Sequence, residues 1–513
     1  MPRLVIGLDS GTQSTKGVLV DADDGRVLAR AAAPHRMLPA REPGEKEQDP
    51  ADWLAAAERT IGELLRAAGP DRRAVVAIGL SGQQHGLVPL DAEGRVIRPA
   101  KLWCDTSTAA EAEALVARLG GLERTIALTG NGIPPGYTAS KILWLKEREP
   151  DRYARLATVL LPHDYLVFEL TGSRVMEYGD ASGTALMDVR RRVWSREAIA
   201  AIDPALEAKL PPLGPSDRAA GRLRPQVARR WDLPDAVIVT GSGDNMMAAI
   251  GTGNVREGVV TASLGTSGTV YACAERPIVD PRGELAAFCD ATNRWLPLAC
   301  TMNVTVATEL MRRLFRLDHD AFTALAASAP PGAGGLVLVP FFEGERTPNC
   351  PEGTGVLLGL REATFDAACL ARAAMEGVTI GLNYGLRRLR ELGIAPREIR
   401  LTGGGARNPL WRQIAADVFE CPIVCPVEDE GAAYGAALHA LWVHGLETGG
   451  GPGIGELTDR FVALDETTRA EPDAGRSAIY RELQAIFEET AARLGPTFTR
   501  HRAFVTAGDP PRT

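Results

Sequence analysis

The sequence contains no apolar run that approaches the roughly 20 residues needed to cross a bilayer. Met1 to Arg3 lead directly into a strand-like segment, without the features of a signal peptide. The eight cysteines are scattered, and Cys421 and Cys425 have no second pair of ligands beside them, which favours packing over metal binding. These absences predict a cytoplasmic protein with reduced thiols and no disulfide framework.

The chain also has no excess of positive charge. The net charge of −8 argues against a general affinity for nucleic acid or an anionic membrane. A hydrophobic content of 45% and a charged content of 24% are those of an ordinary globular protein. Since 513 residues exceed what one compact core normally holds, two domains are expected. We therefore look for a local binding site for a small molecule.

The first such site is Gly7 to Ser14, which reads GLDSGTQS. The next segment, Lys16 to Val20, has the character of a strand, so Gly11 and Thr12 are predicted at the tip of a β-hairpin. Backbone N–H groups and hydroxyls at such a tip can hold phosphate oxygens, and Asp9 could bind Mg²⁺ through water. A polar turn without ligand explains this stretch equally well.

Two further strands of the first half end in polar loops. A strand over 74–80 leads into Ser81 to Gly86, where Gln84 and His85 suit a polyhydroxylated ligand. A strand over 236–240 leads through a glycine-rich turn to Asp244, with a helix expected from Met246. A carboxylate at a helix N-terminus should stay ionised and can accept a proton from a hydroxyl. The alternative role of Asp244 is that of an N-cap.

The second half repeats the pattern of the first. A strand over 259–264, a turn at Gly265 to Gly268 and a returning strand echo the opening hairpin, which suggests two related domains. A third glycine turn, Gly403 to Gly405, precedes a helix over 409–419 that Asn408 should cap. This turn suits an adenosine or α-phosphate contact, although simple strand-to-helix geometry also accounts for it. Within the first half, residues 130–220 are interpreted as a cap over a substrate pocket. In the second half, Glu430 to Ala437 begin a small-residue helix able to pack closely, and an amphipathic helix is expected from about Ser477 to Leu494.

Taken together, these motifs resemble those of the FGGY family of carbohydrate kinases, in the family's order and over nearly the whole chain. The stretches that carry the resemblance are Leu8 to Thr12, Ser81 to Gly86, Leu102 to Asp105, Gly136 to Arg148, Gly243 to Asn245, Ser263 to Gly268, Gly344 to Pro348, Gly355 to Glu376 and Gly403 to Arg407. Arg148 and Cys369 depart slightly from the two family signatures.

The resemblance implies an α/β fold of two actin-like (ribonuclease H-like) domains with a nucleotide and sugar cleft between them. Expected boundaries are 1–251 for a sugar-binding domain, with a cap insertion at about 105–235, and 252–513 for an ATP-binding domain with a C-terminal helix. The implied reaction is ATP- and Mg²⁺-dependent phosphorylation of D-xylulose on its 5-hydroxyl, and the family also suggests a homodimer.

The resemblance assigns a role to each candidate residue. Asp244 is the catalytic base, and Asp9 lies near Mg²⁺. The sugar contacts are Gln84, His85, Trp103, Asp105, Asp244 and Asn245. The ATP contacts are Thr12, Gln13, Ser14, Lys16, Gly265, Thr266, Gly404, Gly405 and Asn408.

Two alternatives to D-xylulose phosphorylation stay open on the sequence alone. The first is another kinase of the family, acting on ribulose, L-xylulose, glycerol or gluconate. The second is an actin-like ATPase without a sugar substrate, which would keep the hairpins but would not need the cap or the loop of Gln84 and His85.

Overall fold

The computed structural model of the protein describes residues 3–508. In chain order, its strands are β1 (Leu4–Ser10), β2 (Ser14–Asp21), β3 (Val27–Pro34), β4 (Glu47–Gln48), β5 (Val75–Gly82), β6 (Val88–Leu90), β7 (Ala100–Lys101), β8 (Thr158–Leu160), β9 (Met176–Glu177), β10 (Met187–Asp188), β11 (Val193–Trp194), β12 (Leu213–Gly214), β13 (Ala219–Arg222), β14 (Val237–Val239), β15 (Ser242–Gly243), β16 (Val259–Leu264), β17 (Gly268–Ala272), β18 (Ala286–Cys289), β19 (Trp295–Thr301), β20 (Val337–Pro340), β21 (Gly355–Leu358), β22 (Glu398–Thr402), β23 (Ile423–Pro426) and β24 (Leu464–Ala470).

The helices are α1 (Pro50–Ala68), α2 (Ala109–Arg118), α3 (Leu122–Thr129), α4 (Thr138–Arg148), α5 (Pro150–Ala154), α6 (Pro162–Thr171), α7 (Tyr178–Ala181), α8 (Arg196–Ala200), α9 (Pro225–Trp231), α10 (Asp244–Gly251), α11 (Thr305–Leu314), α12 (His319–Ser328), α13 (Ala367–Glu391), α14 (Pro409–Phe419), α15 (Gly431–Glu447), α16 (Ile454–Phe461) and α17 (Ala474–Gly508). Among the described residues, no helix combines the length and the apolar character needed to span a bilayer.

The chain divides into two compact units. Unit 1 comprises residues 1–256, 273–297 and 430–463, and unit 2 comprises 257–272, 298–429 and 464–513. Three segments that follow the expected domain boundary at 251 belong to unit 1, namely 252–256, 273–297 and 430–463.

Unit 1 is built on a mixed sheet in the order β13-β14-β5-β1-β2-β3. β1 runs antiparallel to β2 and parallel to β5, and β14 is parallel to β5. Apolar residues of β1, β5 and α1 form its core, among them Ile6, Leu8, Trp53 and Leu80, all fully buried. The predicted opening hairpin is confirmed, and its tip lies between β1 and β2.

Helix α15 packs unusually closely on this sheet. A Cβ placed on Gly7 of β1 would lie 1.9 Å from the Ala433 carbonyl oxygen, and one on Gly79 of β5 would lie 1.9 Å from that of Ala436. Only glycine on the sheet allows this approach, since any side chain would overlap helix backbone. The prediction of a small-residue helix able to pack closely is confirmed.

Six strands of the sheet in unit 2 repeat this topology, in the order β24-β23-β22-β16-β17-β19. Its central strand β16 is antiparallel to β17 and parallel to β22, as β1 is to β2 and β5. β23 is parallel to β22, and the edge strand β24 is antiparallel to β23. The expectation of two related domains is confirmed by this strand-for-strand correspondence.

Two predicted helix boundaries differ from the structure. Helix α10 begins at Asp244 rather than Met246, and its N-cap is Gly243, so no side chain caps it. Helix α17 continues through Pro496 instead of ending near Leu494. A Gly-Pro pair at 495–496 normally ends a helix, and this sequence signal is therefore misleading here.

Candidate active site

Three strand ends of unit 1 meet in register at one edge of its sheet. Ser10 of β1 pairs with Gly82 of β5, which in turn pairs with Gly243 of β15. One residue earlier on each strand, Asp9, Ser81 and Ser242 form the equivalent row. Because parallel strands bring their carboxyl ends to the same edge, the loops that follow them converge there.

Asp9 is anchored by its neighbour in this row. The Ser81 hydroxyl donates a hydrogen bond of 2.8 Å to Asp9 Oδ1. Burial raises the pKa of Asp9, as does the charge of Glu430, while the Ser81 bond and Lys16 oppose the shift. The side chain is thus a positioned carboxylate that a cation would stabilise in its charged form.

Asp244 occupies the first position of α10. Its Oδ1 accepts from the Asn245 backbone N–H at 2.8 Å and from Asn245 Nδ2 at 2.9 Å. Burial, followed by the charge of Asp9, raises the pKa of Asp244 to about 7 against these bonds. The helix N-terminus therefore does not keep this carboxylate fully ionised at neutral pH, because desolvation outweighs the helix dipole.

Gln84 joins this group through Asn245. Asn245 Nδ2 donates to Gln84 Oε1 at 2.8 Å as well as to Asp244. The Gln84 side chain packs directly on Gly243, where a Cβ would lie 2.6 Å from Gln84 Cγ. Gln84, Asn245 and Asp244 form a connected polar row, as their predicted common site requires.

His85 follows in a left-handed backbone conformation, with φ of 61°. Its carbonyl oxygen accepts from Lys141 Nζ at 2.7 Å and from the Thr138 hydroxyl at 3.1 Å. Burial lowers the pKa of Lys141 to about 7, against the charge of Asp105. Helix α4 of the predicted cap thus stabilises a backbone conformation that a non-glycine residue seldom adopts.

The imidazole of His85 lies among aromatic and acidic neighbours. Its ring centroid is 4.8 Å from that of Tyr137 and 5.3 Å from that of Phe288. Its Nδ1 lies 3.4 Å from Asp180 Oδ1, which also accepts from the His85 backbone N–H at 3.2 Å. The ring is therefore held in one orientation.

At the tip of the first hairpin, the Thr12 hydroxyl is already engaged within unit 1. It donates to Gln83 Oε1 at 3.2 Å and accepts from Trp103 Nε1 at 3.0 Å. Gln48 Nε2 donates to the Thr12 carbonyl at 2.7 Å. A phosphate that takes a hydrogen bond from this hydroxyl must displace Gln83.

The rest of the hairpin is more accessible. Gln13 and Lys16 are exposed and Ser14 is half-buried, and Lys16 forms an ion pair of 3.0 Å with Glu430. The turn itself is closed by the bond from Gly11 N to Ser14 O at 3.1 Å. These side chains can rearrange toward a ligand at low cost.

Asp105 is fully buried beneath this site. Its Oδ2 accepts from the Lys46 backbone N–H at 2.8 Å and from Lys101 Nζ at 3.2 Å, and its Oδ1 accepts from Ser107 Oγ at 2.6 Å. With both oxygens engaged, Asp105 supports the loop that carries Trp103.

In unit 2, two glycine turns lie side by side at the ends of β16 and β22. A Cβ on Gly403, whose φ is 85°, would lie 2.7 Å from the Leu264 carbonyl oxygen and 3.0 Å from Gly265 N. The Thr266 side chain is exposed. The carbonyls of Gly265 and Thr266 accept from Thr305 and Val304 at the start of α11.

In the third glycine turn, Gly403 to Gly405, the last two glycines have different surroundings. Gly404 is exposed with open space around it, whereas a Cβ on Gly405 would lie 2.8 Å from Leu264 Cβ. Asn408 caps α14 as predicted, since its Oδ1 accepts from the backbone N–H groups of Leu410 and Trp411. Its Nδ2 donates to Thr323 Oγ1 at 2.8 Å.

Several residues of the site were not identified as such from the sequence. They are Ser81, Gln83, Tyr137, Lys141, His163, Asp180 and Phe288. Ser81, Gln83 and Lys141 lie in recognisable motifs, and Asp180 lies in a polar stretch, 180–184, which offers a sequence signal. Tyr137 lies in the same motif as Lys141, whereas His163 and Phe288 carry no such signal, because only the folded chain brings them to this site.

Two family models cover most of the chain. The model of the N-terminal domain of the FGGY family of carbohydrate kinases matches residues 4–251, and that of the C-terminal domain matches residues 260–444. The chain belongs to the FGGY family of carbohydrate kinases. A xylulose kinase of Haemophilus influenzae is 40% identical over 93% of this kinase chain and 97% of its own length.

Solved structures agree with the fold of the kinase. The crystal structure of a xylulose kinase from Rhodospirillum rubrum is 29% identical, with a TM-score of 0.88 over 97% of this chain and 100% of that one. A gluconate kinase from Lactobacillus acidophilus, at 23% identity, reaches a TM-score of 0.90 over 98% of this chain and 100% of its own. This second likeness concerns the fold alone, so the fold does not select the sugar.

Proposed function

We propose that the protein transfers the γ-phosphoryl group of ATP to the 5-hydroxyl of D-xylulose. The observation that carries the chemistry is Asp244, a buried carboxylate at a strand-to-helix junction beside Asn245 and Gln84. The choice of sugar is supported by the 40% identity to a xylulose kinase over most of both chains.

In this proposal Asp244 is the general base. It accepts the proton of the attacking hydroxyl while Asn245, bonded to the same Oδ1, keeps the carboxylate oriented. The transition state of phosphoryl transfer is loose, so orientation of the hydroxyl matters more than early proton removal. A carboxyl group with a pKa near 7 can both accept and release the proton at neutral pH.

The sugar contacts are assigned to Gln84, His85, Asn245 and the Trp103 ring. The Trp103 N–H donates to Thr12, so the indole would contribute a face rather than a hydrogen bond. Asp105, buried under the loop, takes part through its support of Trp103. These amide, imidazole and aromatic groups suit a ligand that offers hydroxyls and one apolar face.

The ATP contacts are assigned by unit. In unit 1 they are Thr12, Gln13, Ser14 and Lys16, and in unit 2 they are Gly265, Thr266, Gly404, Gly405 and Asn408. Exposed Gly404 permits close approach of a ligand to the backbone. Buried Gly405 and the capping residue Asn408 would act by shaping this turn.

Asp9 fits a Mg²⁺ site by its chemistry. The described residues contain no group of three or more His, Cys, Asp or Glu side chains arranged as metal ligands. Mg²⁺ characteristically takes one or two carboxylates and completes its shell with water and nucleotide phosphates, which suits a single Asp. When bound, the metal supplies charge neutralisation of the phosphates. Asp9, fixed by Ser81, holds a carboxylate oxygen in place for it.

The test is a coupled ADP-release assay over a panel of D-xylulose, D- and L-ribulose, L-xylulose, glycerol and gluconate. The highest kcat/KM is expected with D-xylulose. A higher value for another member of the panel would reassign the sugar within the family, and ATP hydrolysis unaffected by any of them would contradict the kinase reaction.

A cytoplasmic location and a homodimer complete the proposal. The location is supported by the absence of disulfides among the described cysteines, and the homodimer by the family resemblance. Light scattering of the purified protein tests the dimer through its mass.

A further inference from the structure

Behind His85, four ionisable side chains of unit 1 form a continuous chain. His85 Nδ1 lies 3.4 Å from Asp180 Oδ1, and Asp180 Oδ2 lies 3.2 Å from His163 Nδ1. His163 Nε2 lies 3.1 Å from Asp164 Oδ1. Carboxylates and imidazoles alternate along this chain, and each carboxylate faces at least one ring nitrogen.

The chain is closed off from solvent. Asp180 and His163 are fully buried, Asp164 is 1% exposed and His85 8% exposed. One further carboxylate, Glu177, faces His163 Nε2 at 3.9 Å. Buried charges of this kind persist only when they are paired, so the alternation is the condition for keeping them inside.

The charges follow from this pairing. Burial alone would lower the pKa of His163, but Asp164 and Asp180 raise it well above its ordinary value. Burial would raise the pKa of Asp180, but the neighbouring imidazoles of His163 and His85 lower it to about 2. His163 is therefore charged beside an ionised Asp180, while burial raises the pKa of Asp164, on the other side of the His163 ring, against the charge of His163.

An ionised carboxylate only accepts hydrogen bonds. Nδ1 is the His85 nitrogen that faces Asp180, at 3.4 Å, so the negative charge of Asp180 favours a proton on Nδ1, and a neutral ring then carries its lone pair on Nε2. The ring packs directly on Gly183, where a Cβ would lie 1.8 Å from His85 Cε1. Tyr137 and Phe288 pack on the ring as well.

We propose that His163 and Asp180 are positioning residues that fix His85 in its Nδ1–H tautomer, so that Nε2 accepts a hydrogen bond from a hydroxyl of the ketose. This inference rests on the proposed role of His85 in the sugar site. Asp180 and His163 themselves do not contact the sugar in this proposal and act only through His85.

The first test is the tautomer itself, read by ¹⁵N NMR of histidine-labelled protein without substrate, with His85→Gln assigning the His85 signals. The native protein should show a protonated Nδ1 and a bare Nε2. In Asp180→Asn, the negative charge that favours a proton on Nδ1 is lost, so a smaller fraction of the His85 rings should carry their proton there. A native His85 with a bare Nδ1, or an unchanged tautomer in the variant, would overturn the proposal.

The second test is kinetic. Asp180→Asn should raise the KM for the ketose roughly tenfold, the effect of one lost buried hydrogen bond, and leave the KM for ATP within about twofold. The matched control is Asp91→Asn, which alters another buried carboxylate, bound to Arg95 and Arg155, and should change neither KM. An equal rise of both KM values would overturn the proposal.

His163→Gln is the second variant, in case Asp180→Asn does not fold. Its amide can still donate to Asp180 but carries no charge, so a smaller rise of the ketose KM alone is expected. An unchanged ketose KM would overturn the role of His163. An unchanged ketose KM in His85→Gln would show that the proposed role of His85 in the sugar site is wrong. The tautomer measurement would still decide whether Asp180 and His163 fix the His85 ring.

Discussion

The two sheets of the protein share one topology and place a Gly-Thr hairpin at the end of the central strand, but the chemistry around the two hairpins differs. Alignment of Gly11-Thr12 with Gly265-Thr266 puts Ser263 at the position of Asp9. Asp9 pairs with Ser81 on the parallel neighbour, whereas Ser263 pairs with Thr402.

This difference in residues shows that one topology can serve two tasks, the binding of a nucleotide and the binding of a metal with acceptance of a proton. Hydroxyls and glycine backbone can surround the negative charge of a nucleotide without opposing it. Carboxylates repel that charge unless a cation lies between them, but they can also hold a metal and accept a proton. We therefore assign the metal and the proton to unit 1 and charge-neutral contacts with ATP to the hairpin of unit 2.

The largest effect is expected at the proton acceptor of unit 1. Asp244→Asn removes the basic oxygen but keeps the shape, so kcat should fall roughly 10³-fold. ATP affinity, measured by isothermal titration calorimetry, should stay within about twofold. The control is Asp366→Asn, which alters the carboxylate that caps α13 in unit 2 and should leave kcat unchanged. A near-native kcat in Asp244→Asn would contradict the assignment of Asp244 as the general base.

Asp9→Ser gives the hairpin of unit 1 the residue that unit 2 carries at the equivalent position, Ser263. Turnover should fall roughly 100-fold and recover in part at higher Mg²⁺, since a carboxylate that holds the metal is lost. The negative charge of Asp9 raises the pKa of Asp244, so its removal should lower that pKa below about 7.

This pKa is measured by ¹³C NMR titration of the Asp244 carboxyl in the protein without metal and nucleotide. In the native protein the protonated fraction rises as pH falls through about 7, and in the variant the same change should occur at lower pH. Ser81→Ala, which keeps the Asp9 carboxylate but removes its hydrogen bond, is the control. A native titration curve in Asp9→Ser would show that the two carboxylates do not interact.

Ser263→Asp is the reciprocal change in unit 2. A carboxylate beside the phosphates should raise the KM for ATP roughly tenfold by repulsion, with the ketose KM unchanged. Ser263→Asn has the same size without the charge and should have a much smaller effect. Equal KM values for the two variants would indicate that bulk, and not charge, matters at this position.

The smallest effects are expected at the third glycine turn. Gly404→Ala adds a methyl group to open space, so the melting temperature should not change, while the KM for ATP should rise about threefold if the nucleotide approaches this backbone. Gly405→Ala meets Leu264 Cβ at 2.8 Å and should cost about 1–3 kcal/mol of unfolding free energy. Loss of stability in Gly404→Ala would contradict its open environment.

The sequence alone predicted the two hairpins, the paired strand–turn–strand units, the Asn408 cap and the family. The hairpins, the strand–turn–strand units and the cap depend on local rules of turn chemistry, capping and strand periodicity, which neighbouring residues encode, whereas the family followed from the resemblance of the motifs. The carboxylates Asp9 and Asp244 could be named because each stands where a predicted buried strand gives way to a glycine-containing turn or a helix.

The tertiary structure alone decided what surrounds these residues. The raised pKa of Asp244 depends on burial and on Asp9, 235 positions earlier in the sequence. Asp180 and His163 reach His85, and α15 reaches β1, only through packing between distant segments. Desolvation, pairing of buried charges and close helix–sheet contact arise from the folded arrangement, so a linear pattern of residues could supply the catalytic groups but not their ionisation or orientation.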